Sequence, residues 1–373
     1  MKTFCSYYNE NKCKSCDLIE SSYSEQITLK QDVLSCSLQG LEVPDFLTPV
    51  TSSQTHFRNK AKLVVSGTLE DPVIGILGSE LLDCPLHLQK INELLPSLKS
   101  FISTAKLVPY DISQRTGELK GLILFHGEAT NETYLRFVLR SKEAIDRIKK
   151  YQSTLLSAFP HLKCISVNIQ PIPQAILEGE EEIFLTERTS ILHRLGDITF
   201  RLGPRAFVQT NQVVASTLYG TAANWIKEAR LKKFVELYCG QGAFSFFAAP
   251  YLESGLGIEI NEDAINVANE TAQEFKLTQL NFKSADAASV GDMVKQFAPE
   301  IILVNPPRRG LNKAINVLLN NKPEMIIYSS CNHETLAHDL KELKNNYRIS
   351  KIQIFDMFPN SSHFETLVEL KRL

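Results

Sequence analysis

Between residues 56 and 176, short apolar runs alternate with turn-forming residues. The runs read AKLVVSG, PVIGIL, GLILFH, YLRFVLRS and CISVNIQP. Runs of this length, rich in β-branched residues and bounded by turn signals, are typical of strands. Helical periodicity interrupts them over 86–106 and 142–157. The first part of the chain is therefore predicted to be a β-rich α+β domain.

From residue 210 the pattern changes to long spacers between continuous apolar runs. A helix is predicted over 211–230, followed by KFVELY, GLGIEI, LNFKSAD, EIILVN and EMIIYSS with helical segments between them. This alternation predicts a parallel sheet with helices on both faces. The last two runs, KIQIFDMFP and HFETLVELKR, predict a β-hairpin at the sheet edge. The predicted fold is α/β, a Rossmann-like, seven-stranded, mostly parallel sheet with a terminal β-hairpin.

The boundary between the two predicted domains falls near residue 180. Pro171, Pro173 and the acidic run LEGEEE mark it, because prolines and charged runs are common in connecting segments. We expect domains at 1–180 and 181–373. A helix predicted over 22–38, with Leu29, Val33 and Leu34 on one side, is a candidate to pack on the second domain.

Composition narrows the class of protein. The chain has 373 residues, 43% hydrophobic and 22% charged, with a formal net charge of −2. No apolar stretch approaches the roughly 18 residues that span a bilayer, and the first residues contain no apolar signal region. We expect a cytoplasmic protein without a membrane partner. The segment 56–165 has 15 Lys/Arg against 11 Asp/Glu, a local excess of +4, which either forms a solvated face or contacts phosphates.

Four of the eight cysteines are spaced as candidate metal ligands. Cys5, Cys13 and Cys16 follow a C-x7-C-x2-C pattern, and Cys84 comes later in LLDCPL. In a reducing compartment such a cluster favours metal binding over disulfides. Both zinc and an iron–sulfur cluster accept four thiolates, so spacing leaves the choice open. Cys36 and Cys164 lie in apolar patterns and are predicted to be core residues.

Residues at successive strand ends predict a nucleotide pocket. Gly240 and Gly242 form a G-x-G turn in ELYCGQGAF, Glu259 ends the next strand, and Asp286 follows the third. A glycine turn admits the ligand, and an acid on the next strand binds ribose hydroxyls. Asp286 is placed to meet an adenine amine. The third glycine of the dinucleotide motif is replaced by Ser245, which together with the terminal hairpin favours S-adenosylmethionine (SAM) over NAD.

The fourth strand ends in NPPRRG, residues 305–310. Asn305 is predicted to project into the pocket at the carboxyl edge of the sheet. The motif resembles the Asn-Pro-Pro-aromatic element of amino-group methyltransferases, but Arg308 occupies the aromatic position. A carbon atom is therefore favoured as the methyl acceptor. The next strand ends in YSSCNHET, where Cys331 is either an inert strand-end residue or a nucleophile.

The motifs together resemble those of the RNA uracil-C5 methyltransferases. FVQTN (207–211), ELYCGQG, NPPRRG, SSCN and DMFPNSSHFE (356–365) occur in the order of that family, and the likeness covers essentially the whole chain. Within the family, the FC…CKSC spacing and the NPPRRG form of the fourth motif are similar to the enzymes that modify 23S ribosomal RNA.

The resemblance implies a role for each matching residue. Cys331 corresponds to the nucleophile and Glu365 to the general base. Gln209, Tyr238, Glu259 and Asn305 correspond to positions that contact SAM. The ligands of a [4Fe-4S] cluster correspond to Cys5, Cys13, Cys16 and Cys84. The implied partner is a loop or single-stranded uridine of 23S ribosomal RNA, bound by a monomer through the basic middle domain.

The implied chemistry suits these residue types. Addition of a thiolate to C6 of uracil makes C5 nucleophilic enough to attack a sulfonium methyl group. The thiol must have a lowered pKa, which the start of the following helix could provide. A carboxylate then removes the C5 proton. Three alternatives stay open: a transfer-RNA uracil-C5 methyltransferase, an iron–sulfur oxidoreductase using NAD or flavin, and a non-catalytic RNA-binding module.

Overall fold

The computed structural model describes residues 3–173, 178–204 and 206–373, so part of the predicted boundary segment lies outside the described residues. The helices are α1 Ser6–Asn9, α2 Tyr23–Ser37, α3 Gln89–Thr104, α4 Ile145–Ala158, α5 Gln212–Ala229, α6 Ala243–Ala248, α7 Glu262–Glu274, α8 Gly291–Phe297, α9 Ile315–Asn321 and α10 His333–Leu343. The strands are β1 Leu47–Val50, β2 Lys60–Gly67, β3 Pro72–Ile76, β4 Ser79–Glu80, β5 Leu119–Gly127, β6 Glu132–Leu139, β7 Leu162–Ile169, β8 Glu181–Phe184, β9 Ile191–Leu195, β10 Ile198–Leu202, β11 Lys233–Leu237, β12 Ser254–Glu259, β13 Leu280–Ser284, β14 Ile301–Val304, β15 Met325–Ser330, β16 Tyr347–Phe355 and β17 Glu365–Arg372.

The described chain forms two compact units. The first contains the residues up to Glu20 together with Ser53–Pro204, and the second contains Ser21–Ser52 together with the chain from residue 206 onwards. The first unit thus extends past the expected boundary at residue 180 to include the β9–β10 hairpin. The second unit includes α2 and β1, although both precede most of the first unit in the chain.

The first unit is built on a sheet of order β4-β3-β2-β5-β6-β7-β8. Its neighbours pair antiparallel except β6 and β7, which are joined by α4 and run parallel. Alternate residues of the strands, such as Leu63, Leu124 and Phe137, are buried in one core with α3 residues such as Leu94. The β-rich α+β architecture predicted for this part of the chain is present in the described residues.

The second unit is built on a sheet of order β1-β16-β17-β15-β14-β11-β12-β13. Strands β13, β12, β11, β14 and β15 run parallel, and β17 lies antiparallel between β15 and β16. The described sheet has eight strands instead of the predicted seven, because β1 pairs in parallel with β16. β1 covers an edge that would otherwise leave backbone groups unpaired. Its sequence, LTPV, is too short to signal a strand.

Helix α2 belongs to the second unit, but its buried face differs from the expected one. Leu34 is fully buried, whereas Leu29 and Val33 are 44% and 42% exposed. The other buried side chains of α2 are those of Gln26 and Lys30. A pattern of apolar residues does not reveal a buried face that is made partly of polar groups, so Leu29 and Val33 did not indicate which side of α2 is buried. Leu34 packs in the core of the second unit with residues such as Leu340.

The carboxyl ends of the parallel strands meet at one edge of this sheet. β11 ends at Leu237, β12 at Glu259, β14 at Val304 and β15 at Ser330. Ligands of open α/β sheets bind at this edge. Across the described part of the chain, none of the helices combines the length and apolar character needed to cross a bilayer.

Candidate active site

The turn after β11 is shaped by residues with positive φ. Tyr238, Gly240 and Gly242 have φ values of 62°, 53° and 82°, and only glycine adopts such angles at little cost. A Cβ on Gly242 would lie 2.5 Å from the Phe282 ring, whereas a Cβ on Gly240 would meet nothing within 4 Å. Gly242 therefore permits close packing beneath the turn, and Gly240 leaves open space above it.

Glu259 ties the glycine turn to the next strand. Its Oε2 accepts a hydrogen bond from the Gly240 N–H at 3.1 Å, and its Oε1 accepts one from the Asn261 N–H at 3.0 Å. Burial raises the pKa of the Tyr238 phenol, with further contributions from Asp286 and Glu259. Tyr238, Glu259 and Asp286 are therefore electrostatic neighbours, and the structure brings these three predicted cofactor residues to one region.

Ser245 occupies the position of the missing third glycine and has its own partner. Its backbone N–H donates to Glu236 Oε2 at 2.9 Å, and its hydroxyl donates to the same oxygen. Burial raises the pKa of Glu236 to about 8. The serine thus satisfies a buried carboxyl group under the turn, where a glycine would leave that carboxyl with fewer donors.

The NPPRRG segment follows β14 directly and is fastened to the start of α10. The Asn305 N–H donates to the Leu237 carbonyl at 3.3 Å, which places Asn305 beside the glycine turn. The Arg308 carbonyl accepts hydrogen bonds from Asn332 Nδ2 at 3.0 Å and from Thr335 Oγ1 at 3.2 Å. The two loops at the ends of β14 and β15 are therefore held together.

Cys331 lies between β15 and α10. Asn332 caps α10, because its Oδ1 accepts from the Glu334 N–H at 3.0 Å. Burial raises the pKa of the Cys331 thiol and Glu365 raises it further, while the Arg308 side chain lowers it through its charge and a hydrogen bond. The pKa of Cys331 is raised overall, whereas a lowered pKa was expected for a nucleophilic thiol. Arg308 is the group that opposes this shift.

Glu365 is adjacent to Cys331 because of the strand register. Ser330 pairs with Thr366 across β15 and β17, so the next residues outwards in these antiparallel strands are Cys331 and Glu365. Glu365 is 3% exposed, and its Oε2 has no hydrogen-bond partner among the described residues. Burial raises the pKa of Glu365 to about 8, against a hydrogen bond from Gln209 and the charge of Arg308. Gln209 thus lies beside the predicted base.

The sequence analysis missed one residue of this arrangement. Arg308 enters the sequence analysis only as the residue at the aromatic position of the Asn-Pro-Pro-aromatic element, yet it interacts with both Cys331 and Glu365. The signal for it was its place in the loop next to the nucleophile's strand. The role of Gln209 as a SAM contact stays a prediction, and the structure places this residue beside Glu365.

Comparison with known proteins identifies the family. A family model described as tRNA (Uracil-5-)-methyltransferase matches residues 174–373. The 23S rRNA (uracil(747)-C(5))-methyltransferase RlmC of Haemophilus influenzae is 41% identical over 386 residues, covering 99% of this chain and 98% of that protein. The chain belongs to the uracil-C5 methyltransferase family.

Other relatives support the same family assignment. RlmC of Proteus mirabilis is 41% identical over 372 residues, covering 98% of both chains. The Pyrococcus abyssi tRNA (uracil-54, C5)-methyltransferase, solved with S-adenosyl-L-homocysteine, aligns with a TM-score of 0.80 and 27% identity, covering 95% of this chain and 85% of that one. The SAM-dependent methyltransferase fold predicted from the sequence is confirmed. Family membership also decides against the oxidoreductase and the non-catalytic RNA-binding module.

The four cysteines predicted to hold a metal cluster, three near the N-terminus and Cys84, lie in the first unit of the methyltransferase. Burial, together with the neighbouring Cys84, Cys13 and Cys5, raises the pKa of Cys16 to about 12. The four thiols are thus electrostatic neighbours, and burial together with Cys5 and Cys13 also raises the pKa of Cys84. Within the described residues, however, no group of three or more His, Cys, Asp or Glu side chains is arranged to hold a metal ion. Of the predicted core cysteines, Cys164 is buried but Cys36 is exposed.

Many basic residues of the 56–165 segment are already paired with acids. Arg136 is buried and bonds to Glu178 and Glu182, the latter at 3.0 Å. Further ion pairs join Arg140 to Glu118, Arg147 to Glu143, Lys62 to Glu178 and Lys142 to Glu181. The local positive charge is therefore partly neutralised within the first unit, and contacts with phosphates would have to compete with these acids.

Proposed function

We propose that the protein transfers a methyl group from SAM to C5 of a uridine in 23S ribosomal RNA. The observation that carries the proposal is the adjacency of Cys331 and Glu365 at the carboxyl edge of a methyltransferase sheet. The 41% identity to RlmC over nearly the full chain favours ribosomal RNA as substrate. SAM would supply an electrophilic methyl group, and the open turn at Gly240 with Tyr238, Glu259, Asp286 and Asn305 would hold it.

In this mechanism Cys331 is the nucleophile. Its sulfur forms a bond to C6 of the uracil, and the C5=C6 electrons become available at C5 for methyl transfer. Because the pKa of the thiol is raised, the thiol must release its proton to solvent as the substrate binds and the sulfur adds to C6. Arg308, which touches the thiol, stabilises the resulting anion because opposite charges favour ionisation.

Glu365 completes the reaction as the general base. After methyl transfer its carboxylate takes the proton from C5, the C5=C6 bond re-forms and the thiolate leaves. Its pKa of about 8 lies near neutrality, where a proton-transferring group is most effective. Within the part of the chain that the structure describes, Oε2 has no hydrogen-bond partner and is available to receive that proton, while Gln209 lies beside the same carboxyl group.

The substrate uridine must leave its stack to reach a buried carboxylate. Enzymes that modify a base in a duplex flip it out, and loops supply such bases more readily. We therefore propose a loop or single-stranded uridine as target, with residues 1–180 contributing RNA contacts. The enzyme is proposed to act as a monomer in the cytoplasm. Size-exclusion chromatography with light scattering tests the oligomeric state.

The test of the function is methylation of defined RNAs. Labelled SAM is incubated with unmodified 23S ribosomal RNA and with unmodified transfer RNA, and the modified nucleotide is mapped. We expect label on C5 of a ribosomal uridine. Label on transfer RNA alone would favour the second candidate, which the 27% identical P. abyssi structure represents. No transfer to uridine in either RNA would refute the proposal.

We also propose that Cys5, Cys13, Cys16 and Cys84 hold a [4Fe-4S] cluster. The support is the donor set itself, four free thiols that interact electrostatically. These four thiols would hold the cluster, because [4Fe-4S] clusters are bound by four cysteine thiolates. Protein purified without oxygen should contain about four iron and four sulfide per chain. Bound zinc without iron, or unchanged iron content in Cys16→Ser, would contradict the assignment.

A further inference from the structure

The buried face of α2 carries polar side chains. Gln26 and Lys30 are 0% and 1% exposed, and they lie four residues apart with Leu34 four residues further on. This spacing places all three on one side of the helix. A buried amine or amide is costly unless it is bonded, so the partners of these residues indicate what the helix does.

The partner of Lys30 is in the loop before β17. Lys30 Nζ lies 2.6 Å from Asp356 Oδ1, and it also donates to the Phe358 carbonyl at 3.2 Å. The hydroxyl of Tyr23, which lies on the same side of α2 two turns before Lys30, donates to Asp356 Oδ2 at 2.7 Å. Asp356 is 0% exposed, so both of its oxygens are bonded to α2.

Gln26 binds the same loop through two reciprocal hydrogen bonds. The Asn360 N–H donates to Gln26 Oε1 at 2.8 Å, and Gln26 Nε2 donates to Asn360 Oδ1 at 3.3 Å. The segment 356–360 ends five residues before Glu365. α2 therefore holds the loop from which the strand carrying Glu365 begins.

The far end of α2 contacts the loop of the nucleophile. The Ser37 hydroxyl and His333 Nδ1 are 2.8 Å apart. His333 is the first residue of α10, two residues after Cys331, and its ring stacks on Phe364 with centroids 5.8 Å apart. One helix thus binds next to both catalytic side chains.

We propose that α2 is a clamp that positions the two catalytic loops, with Lys30 and Asp356 as positioning residues for Glu365 and Ser37 as a positioning residue for Cys331. The inference rests on the proposed function and goes beyond it. Replacing a buried ion pair by apolar residues is often neutral or stabilising, so stability alone does not account for Lys30 and Asp356. Their bonds instead fix one geometry of the 356–360 loop.

RNA carrying 5-fluorouridine at the target position makes it possible to test the positioning of Cys331 separately from that of Glu365. Bond formation by Cys331 and methyl transfer can proceed on this base, but fluorine at C5 cannot leave as a proton, so the adduct stays. The trapping rate therefore reports the position of Cys331. Multiple turnover on uridine RNA also requires Glu365.

The clamp predicts that two substitutions in α2 affect different steps of the reaction. Lys30→Met should trap the fluorinated RNA within about twofold of the wild-type rate but lower kcat on uridine RNA about 10- to 100-fold, as a displaced catalytic group does. Ser37→Ala should slow trapping about fivefold, the equivalent of one net hydrogen bond. Asp32→Asn, on the exposed side of α2, serves as control and should change neither rate.

The double variant Lys30→Met/Asp356→Asn tests position against stability. It removes both buried charges, so its melting temperature should recover relative to Lys30→Met while kcat stays low. If Lys30→Met does not fold, the double variant replaces it in both assays. Recovery of kcat together with stability, or an equal loss of both rates in Lys30→Met, would overturn the clamp. Failure of the wild-type protein to trap fluorinated RNA would instead refute the proposed mechanism.

Discussion

At the scale of single residues, the site depends on three charged or ionisable groups. Glu365 raises the pKa of Cys331, and Arg308 interacts with both side chains. Motif order in the sequence predicted the nucleophile and the base. It did not predict their protonation, because a pKa depends on burial and on neighbours distant in sequence. Their assigned roles stay predictions until variants are measured.

Arg308→Gln should reduce activity and change its pH dependence. Arg308 lowers the pKa of Cys331, so its removal should raise that pKa and move the rising limb of the trapping rate to higher pH. A loss of about tenfold or more at neutral pH is expected for one stabilising charge. Trapping rates between pH 6 and 9 provide the measurement, and Arg308→Lys, which keeps the charge, should lie between. An unshifted profile would argue against this role.

Glu365→Gln should abolish turnover and stabilise the fold at alkaline pH. The pKa of Glu365 rises from 4.5 to about 8 on folding. The unfolded chain loses its proton first, so this group lowers stability progressively between these values and by a constant amount above them. The glutamine amide of the variant does not ionise, so the variant does not lose stability in this pH range. The stability difference between the variant and the wild type should therefore grow from pH 5 to pH 8 by a few kcal/mol, measured by chemical unfolding. A difference independent of pH would contradict the raised pKa.

At the scale of elements, Asn332 joins the loops of β14 and β15. Its Oδ1 caps α10, and its Nδ2 donates to the Arg308 carbonyl. The polar run after the predicted strand indicated a helix start, but not the second bond. That bond depends on β14 and β15 being neighbours in the sheet.

Substitutions of Asn332 should separate capping from loop attachment. Asn332→Ala removes both functions and should cost about 1 kcal/mol of stability as well as activity. Asn332→Asp keeps a good capping oxygen but has no N–H donor, so stability should be retained while kcat falls. Thermal unfolding and turnover on the same preparations check this. Equal activity of Asn332→Asp and wild type would show that the bond to Arg308 is dispensable.

At the scale of the whole molecule, the catalytic unit is discontinuous in sequence. It needs Ser21–Ser52 because β1 pairs with β16 and Leu34 fills its core. The boundary signals near residue 180 gave no sign of this, since α2 and β1 are separated from their partners by some 150 residues of the first unit.

Deletion of residues 1–52 should therefore prevent stable folding of the catalytic unit. The truncated chain would leave Asp356 buried without Lys30, and breaking a buried pair costs about 3–5 kcal/mol. We expect loss of cooperative unfolding in circular dichroism and loss of SAM binding. A folded, SAM-binding fragment would show that α2 and β1 are not integral to this unit.

The sequence by itself determined the alternation of strands and helices, the family and the order of the functional motifs, because these depend on local composition and spacing. The tertiary structure alone decided that Cys331 and Glu365 are neighbours, that Arg308 reaches both, and that polar residues of α2 are buried against the 356–360 loop. These relations arise from strand register and from contacts between residues as far apart as Lys30 and Asp356. A hydrophobic pattern records neither, since it scores each residue by its own polarity and not by the partner that folding brings to it.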